Sequence, residues 1–181
     1  MELATATAAQ SWQKAMASAF KRNEVKLATY VPDRVLTPII TELTEDPFFK
    51  TFCATREEEA VGIVSGAWLG GLRGVALMQT SGLATLPNVL ASLCVPYQLP
   101  TILVISERGT LGEFNIGQVL VCRTLRPTLD SLGIEHHTLR HSADVDFIVD
   151  RGIKQAIGTQ APVAFILNPQ LTATTATGKG H

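Results

Sequence analysis

Three consecutive carboxylates, Glu57, Glu58 and Glu59, stand where a polar turn opens into an apolar, glycine-containing helix. Thr55 and Glu58 fit a capping box, in which both side chains would satisfy free backbone N–H groups at the helix start. Glu59 is expected to face solvent or a partner chain. Glu57 is either a carboxylate favoured by the helix dipole or a group that donates or accepts a proton. The local sequence leaves both interpretations of Glu57 open.

Glycines recur every four residues along this helix, at Gly62, Gly66 and Gly70, and therefore line one of its faces. Each glycine costs a helix about 1 kcal/mol relative to alanine, so we expect another backbone to approach this face closely. Membrane helix dimers use the same spacing. However, no apolar run in the chain reaches the roughly 18 residues of a membrane span.

Composition limits the class of protein. Charged residues make up 17% of the 181 residues and apolar residues 46%, with a mean hydropathy of +0.21. This charge content is below the roughly 25% of typical domains, so we expect part of the surface to be buried against a partner. The net charge of −1 gives no reason to expect binding to nucleic acid or to an anionic membrane. Cys53, Cys94 and Cys122 are predicted to be buried, reduced thiols of a cytoplasmic protein.

Several common functional motifs are missing from the sequence. It has no GxxxxGK[ST] phosphate loop, no GxGxxG after a strand, and no GxSxG around Ser81. No His, Cys or Asp cluster has metal-ligand spacing, and His136, His137 and His141 are expected at or near the surface. No motif therefore supports a hydrolase, an oxidoreductase or a metal site within this chain.

Apolar strands and amphipathic helices alternate along the chain. Helices are predicted over 11–21, 33–44, 57–72, 89–95, 118–131 and 143–157, and strands over 25–31, 48–54, 75–78, 101–106, 134–139 and 163–167. This order predicts an α/β fold: a doubly wound, mainly parallel sheet of about six strands with helices on both faces. Residues 1–22 are predicted to form an N-terminal helical extension without a secretory signal, 23–170 the main domain, and 171–181 a flexible tail.

Ligands of such sheets bind at the carboxyl ends of the strands. The loops expected there carry polar or charged residues, unlike the strands themselves. They cover residues 32–34, 55–57, 79–82 and 107–109. We therefore predict that the functional site lies among these four loops.

Several segments together match one known pattern. They are residues 55–62 with 66–71, residues 77–83, residues 100–109, and Gln118 with residues 130–134. Together they resemble the pyrimidine-binding domain of thiamine-diphosphate-dependent decarboxylases, over about residues 25–169. Within that family, the chain is most similar to the sulfopyruvate decarboxylase alpha subunit and to the N-terminal half of phosphonopyruvate decarboxylase.

The resemblance implies roles for individual residues. In the family, a carboxylate nine residues before the second helix glycine shares its proton with ring nitrogen N1′ of the cofactor. Glu57 stands nine residues before Gly66, so the resemblance makes Glu57 the catalytic residue. The implied cofactor-binding residues are Glu57, Gln79, Ser81, Gly82 and Leu83. The implied substrate-binding residues are Asp33, Arg34, Arg108 and Gln118, although Arg34 and Arg108 could equally be surface cations.

The resemblance also implies a partner. The chain has no Gly-Asp-Gly segment with a downstream Asn, which hold Mg²⁺ and the cofactor diphosphate in the family. A beta subunit would therefore supply them, in a homo- or hetero-oligomer. The implied function is the alpha subunit of a heteromeric decarboxylase of a small 2-oxoacid, 3-sulfopyruvate or 3-phosphonopyruvate. Ala84-Thr85 replaces the usual Gly-Asn, which leaves open a non-catalytic α/β binding or regulatory subunit.

Overall fold

A computed structural model describes residues 11–173 of the chain, in which strands and helices alternate. The strands are β1 Val25–Tyr30, β2 Lys50–Cys53, β3 Arg73–Gln79, β4 Ile102–Ser106, β5 Glu135–Leu139 and β6 Val163–Leu167. The helices are α1 Trp12–Arg22, α2 Thr37–Glu45, α3 Glu57–Leu69, α4 Thr80–Leu83, α5 Pro87–Val89, α6 Ile116–Ser131, α7 Ser142–Thr159 and α8 Pro169–Ala173. A π-helical turn, Leu90–Cys94, directly follows α5.

The six strands form one parallel sheet in the order β2-β1-β3-β4-β6-β5. Every residue of β4 and β6 is buried, which is typical of parallel strands covered on both faces. The predicted α/β class, with a doubly wound parallel sheet, is confirmed.

Helices cover both faces of the sheet, and each face has its own apolar core. Val75 and Leu77 of β3 pack in one core with side chains of α1, α2 and α7. Ala76 and Met78 point the opposite way and pack with α3, α4 and α6. This alternation follows from the two-residue period of a strand. Because α1 packs in the first core, the residues predicted as an N-terminal extension contribute to the main fold from Trp12 onward.

Helices α1, α6 and α7 lie within two residues of their predicted bounds, whereas one end of α2 and one end of α3 differ by three residues or more. Helix α2 begins at Thr37 instead of residue 33, because the Asp33 carboxylate accepts the Val35 and Leu36 N–H groups and forms a turn. Helix α3 ends at Leu69 instead of residue 72, because Gly71 has a φ of +83° and turns the chain out of the helix.

Other predictions also need correction. The helix predicted over 89–95 is instead split into α5 and the π-helical turn, and α4 was not predicted at all. Cys53 was predicted to be buried but is exposed on the short edge strand β2, whereas Cys94 and Cys122 are buried. Residues 171–173, predicted as the start of a flexible tail, lie in α8, and Leu171 is buried. Residues 1–10 and 174–181 lie outside the described residues, and the division into domains stays a prediction.

Within residues 11–173, no helix is both long and apolar enough to cross a membrane.

A buried carboxylate joins four elements at one edge of the sheet. The side chain of Glu107, which follows β4, is only 1% exposed. Its two oxygens accept hydrogen bonds from Arg126 Nη1 of α6 and from Asn168 Nδ2 after β6, both at 2.7 Å. Arg126 also donates to Thr138 Oγ1 of β5 at 3.0 Å. Glu107 is therefore a structural anchor, although it lies in one of the loops predicted to form the site.

We predict that Glu107→Gln lowers the free energy of unfolding by about 2 kcal/mol, because the new amide nitrogen must face one of two donors. Urea unfolding followed by circular dichroism measures this loss. The control is Glu24→Gln, which removes an exposed ion pair with Lys26 and should cost less than about 0.5 kcal/mol. Equal losses in the two variants would contradict the anchoring role of Glu107.

Candidate active site

The carboxyl ends of β1, β3 and β4 lie side by side, and the chain changes direction between them. From β1 it continues to β2 on one side, and from β2 it crosses to β3 on the other side of β1. The gap between β1 and β3 is therefore a topological switch point, where open α/β sheets bind their ligands. The loops at this edge are those predicted from the sequence.

A hydrogen-bonded network of predicted site residues fills the switch point. Gln79 Nε2 donates to Asp33 Oδ2 at 2.7 Å, and Ser81 Oγ donates to Gln79 Oε1 at 2.8 Å. Ser106 Oγ, at the end of β4, donates to Asp33 Oδ1 at 3.0 Å. The structure thus connects Asp33, Gln79 and Ser81. Asp33 and Ser81 are 48 residues apart in sequence. Ser106 was missed, although a polar residue ending an apolar strand is a signal that could have identified it.

Glu57 and Gly82 are in direct contact. A Cβ atom at Gly82 would lie 2.6 Å from Glu57 Cδ, far inside van der Waals contact. The Glu57 side chain therefore occupies the space that any side chain at residue 82 would need. Glu57 is half-buried, and its carboxylate makes no hydrogen bond or ion pair to another residue of the described range 11–173. A carboxylate that no hydrogen bond occupies at this position is available to a ligand.

The two neighbouring carboxylates are both engaged. Helix α3 is capped at Arg56, which makes no side-chain capping bond, so the predicted capping box of Thr55 and Glu58 is wrong. Instead, Glu59 Oε2 reaches back to accept the Thr55 N–H at 2.7 Å while remaining exposed, as predicted. Glu58 accepts two hydrogen bonds from Arg56, which lower the pKa of the Glu58 carboxyl. The helix begins one residue later than the capping box requires, which shifts the capping role from Glu58 to Glu59.

The two candidate cations differ in their surroundings. Arg108 Nε donates to Glu113 Oε2 at 2.9 Å, and this pairing is the main cause that holds the pKa of Glu113 below its usual value. Arg34 is exposed, and its guanidinium makes no hydrogen bond or ion pair to another residue within 11–173. It lines an open cavity of about 460 Å³ beside Asp33 and Cys53. Arg34 is therefore the freer of the two cations.

Gln118 and Leu83 have different environments from the polar network. The Oε1 atom of Gln118 is buried without a hydrogen-bond partner among the described residues. Its backbone carbonyl packs against Gly109, whose φ of +95° turns the loop after β4 onto α6. The Leu83 side chain is buried in the apolar core, so only its backbone can reach a ligand. Neither residue forms a hydrogen bond with Asp33, Gln79 or Ser81.

The described residues offer no metal site, and His136, His137 and His141 lie away from the switch point. Among residues 11–173, no group of three His, Cys, Asp or Glu side chains could hold a metal ion. His136 and His137 are half-buried on β5, and His141 is exposed, as predicted. All three are far along the sheet order from the switch point, on or beside its last strand.

The relatives described in this paragraph are decarboxylases or subunits of decarboxylases. No family model matches the chain. It is 33% identical over 155 residues to sulfopyruvate decarboxylase subunit alpha of Methanothermobacter thermautotrophicus, which covers 86% of this chain and 94% of that protein. It is 30% identical to the same subunit of Methanococcus maripaludis, over 80% of this chain and 86% of the relative. It is 41% identical to phosphonopyruvate decarboxylase of Streptomyces viridochromogenes, over 46% of this chain and 21% of that protein.

A solved structure shares the fold. It is a 2-oxoglutarate:ferredoxin oxidoreductase from Magnetococcus marinus, with a TM-score of 0.71 and 14% sequence identity. The match covers 90% of this chain but 29% of that one. At this identity, the likeness shows the fold alone.

The position of the Glu57 side chain depends on residue 82 having no Cβ atom. We expect Gly82→Ala to rotate the Glu57 side chain away, because a new Cβ atom would take its place. The free energy of unfolding should change by less than about 1 kcal/mol, since a half-buried side chain moves and the backbone does not. A crystal structure and urea unfolding of the variant measure the two effects. In a Glu57→Ala background, Gly82→Ala should cause no displacement, and an unmoved Glu57 in the single variant would contradict the prediction.

Proposed function

Because this chain belongs to the family of sulfopyruvate decarboxylase alpha subunits, we propose that it is the pyrimidine-binding subunit of a thiamine-diphosphate-dependent decarboxylase. The proposed substrate is a small 2-oxoacid with a second anionic group, 3-sulfopyruvate or 3-phosphonopyruvate. The observation that carries the proposal is Glu57, which is held against Gly82 at the switch-point edge and makes no hydrogen bond or ion pair within residues 11–173. The three cysteines of this protein are free thiols, which suit the reducing cytoplasm, and we propose that the protein acts there.

The residues at this edge fit the aminopyrimidine of thiamine diphosphate. Gly82 leaves room for the Glu57 side chain that would meet its ring nitrogen. The buried Oε1 of Gln118, one of the proposed substrate-binding residues, has no hydrogen-bond donor within residues 11–173 and is available to a ligand. When bound, the cofactor supplies the electron sink that accepts the bonding electrons as CO2 leaves. A beta subunit would hold its diphosphate and Mg²⁺, for which residues 11–173 offer no cluster of ligands.

In this proposal, Glu57 holds and moves a proton. Its carboxylate oxygens are free of the hydrogen bonds that occupy Glu58 and Glu59. A proton on Glu57 can therefore be shared with a ring nitrogen of the ligand instead of with a neighbouring side chain. Its contact with Gly82 fixes where that carboxyl group lies relative to the network of Asp33, Gln79 and Ser81.

The substrate anion is assigned to Arg34. A planar guanidinium matches sulfonate and phosphonate oxygens well, and Arg34 has no competing carboxylate among the described residues. Arg108 is paired with Glu113, so it would have to give up an ion pair to bind substrate. Asp33 is occupied by its own hydrogen bonds and would act on substrate only through the residues it holds.

Exposed apolar and small residues support the need for a partner. Apart from the adjoining residues and backbone of α3 itself, no atom of the described chain lies within 4 Å of a Cβ placed on Gly62 or Gly66, so the glycine face of α3 is uncovered. Leu69, at the end of the same helix, is 75% exposed. In the loop after β4, Leu111 is 84% and Phe114 is 95% exposed. Such surfaces are typical of interfaces with another chain, here the proposed beta subunit.

A non-catalytic subunit is the second candidate. The observation in its favour is Ala84-Thr85, which is exposed next to Gly82. Thr85 Oγ1 donates to the Gly82 carbonyl at 2.9 Å, so the residue that replaces the usual Asn takes part in the hydrogen bonding at the candidate cofactor site. If this candidate is correct, the chain together with its beta subunit will show no Mg²⁺-dependent binding of thiamine diphosphate.

Glu57→Gln tests the catalytic role. In the complex with the beta subunit, we expect turnover to fall at least about 100-fold, because the amide cannot exchange a proton with the ring nitrogen. Thermal unfolding should be unchanged, since the Glu57 carboxylate has no hydrogen bond to lose within the described chain. The matched control is Glu59→Gln, an exposed neighbour that should retain wild-type turnover. Near-wild-type turnover in Glu57→Gln would contradict the mechanism.

Gly66→Leu tests the interface. In the isolated chain, we expect no loss of stability and a gain of up to about 1 kcal/mol, because leucine favours a helix more than glycine does. Association with the beta subunit should weaken at least tenfold, because the new side chain stands where another backbone would pack. Sedimentation or light scattering measures the association. Gly158→Leu on α7 is the matched control, since it is also exposed with open space around it but on the opposite face of the sheet. Equal association of both variants would exclude the α3 face from the interface.

A further inference from the structure

We propose that Asp33 sets the direction of the hydrogen bonds through Gln79 to Ser81, so that the Ser81 hydroxyl can only accept a hydrogen bond from a ligand. The site beside Glu57 would then bind an N–H or O–H donor at Ser81 and reject an anionic oxygen there. This inference deepens the proposed function, on which the identity of the ligand rests. The direction of the hydrogen bonds within the chain does not depend on that function.

The direction is fixed first at Asp33. Its Oδ1 atom accepts the backbone N–H groups of Val35 at 3.0 Å and Leu36 at 3.3 Å. A backbone N–H can only donate, so Oδ1 must be an acceptor. Ser106 Oγ also donates to Oδ1, at 3.0 Å. These three contacts hold the carboxylate in one orientation and leave Oδ2 facing Gln79.

The orientation of the Gln79 amide follows from this. Oδ2 of an ionised carboxylate only accepts, so the NH2 group of Gln79 must face it, at 2.7 Å. The opposite end of the amide, Oε1, is then directed at Ser81 Oγ, 2.8 Å away. A flipped amide would place one oxygen against another at Asp33 and a donor towards Ser81. The carboxylate excludes that arrangement.

The Ser81 hydroxyl is the last group in the series of hydrogen bonds that begins at Asp33. A carbonyl oxygen only accepts, so Ser81 must donate its single proton to Gln79 and keeps only lone pairs for a ligand. Ser81 is half-exposed and directly precedes Gly82, against which Glu57 packs. At neutral pH, the carboxylate, carbonyl and sulfonate groups of 3-sulfopyruvate offer only acceptors, and the same holds for 3-phosphonopyruvate when its phosphonate is fully ionised. The donor is therefore an N–H of the cofactor aminopyrimidine or of the partner chain.

Asp33→Asn reverses the direction without changing the shape. The N–H groups of Val35 and Leu36 still require an oxygen at Oδ1, so the new amide nitrogen takes the position of Oδ2. Gln79 must then flip its oxygen towards residue 33 and donate to Ser81. The Ser81 hydroxyl would in turn direct its proton at the ligand, so that a donor faces a donor. Ser81→Ala removes the hydroxyl altogether, and with it any effect of the direction.

A double-mutant cycle of these two substitutions tests the proposal in the complex with the beta subunit. The measured quantity is the dissociation constant of thiamine diphosphate with Mg²⁺, from calorimetric titration. We expect Asp33→Asn and Ser81→Ala each to raise it by up to about tenfold, the value of one hydrogen bond. In the Ser81→Ala background, Asp33→Asn should have no further effect. Asp146→Asn, an exposed substitution of the same chemistry on α7, is the control.

Two outcomes of the cycle identify the source of the donor. If the donor belongs to the cofactor, the non-additive pattern appears in the affinity for thiamine diphosphate. If it belongs to the partner chain, the same pattern appears in subunit association measured without cofactor. If Asp33→Asn costs the same with and without the Ser81 hydroxyl, Asp33 acts only on stability, and the proposal is overturned.

A second measurement on the isolated full chain is independent of the proposed function. In NMR spectra, the Gln79 side-chain amide protons should show cross-relaxation with Asp33 in the wild type and with Ser81 in Asp33→Asn. If the Gln79 amide does not flip in the variant, the proposed direction of the hydrogen bonds from Asp33 to Ser81 is overturned. If the amide flips but the complex binds no thiamine diphosphate, the direction of the hydrogen bonds is supported and the proposed function is wrong.

Discussion

The Asp33 carboxylate joins the ends of three adjacent strands, and the geometry of the candidate site depends on it. It follows β1, receives a hydrogen bond from Gln79 at the end of β3, and receives another from Ser106 at the end of β4. Without such an acceptor, the donors at the switch point would be buried next to one another with nothing to satisfy them. One carboxylate thus turns a gap in the sheet into an ordered polar surface, on which Ser81 and Gly82 have defined positions.

Glu107, which follows β4, has the corresponding role two strands further along the sheet from β1. It holds β4, α6 and the segment after β6 together through two charged or polar donors. Asp33 and Glu107 are therefore both occupied carboxylates, whereas Glu57 has no such partner in the described chain. The contrast separates carboxylates that build this edge of the sheet from the one that is free to act on a ligand.

Much of the fold follows from local patterns in the sequence. The buried runs at β3, β4 and β6 predict parallel strands because both of their faces must be covered, and the polar loops after them predict the site edge. Local patterns fail where a boundary depends on tertiary contacts. The extended backbone at Arg56 starts α3 one residue later than a capping box at Thr55 requires and moves the capping role to Glu59. Cys53 is exposed because its strand is short and lies at the edge. The link from Asp33 to Ser106 could not be predicted, because it depends on which strands become neighbours.

The contact between Glu57 and Gly82 has a consequence for the evolution of related chains. Since any Cβ atom at residue 82 would overlap the Glu57 side chain, the two positions are not free to vary separately. A lineage that gains a side chain at position 82 forfeits the placement of the carboxylate, whatever residue it keeps at position 57. If Glu57 has the proposed catalytic role, glycine at that position is a marker that distinguishes descendants able to place this carboxylate from those that have inherited only the scaffold.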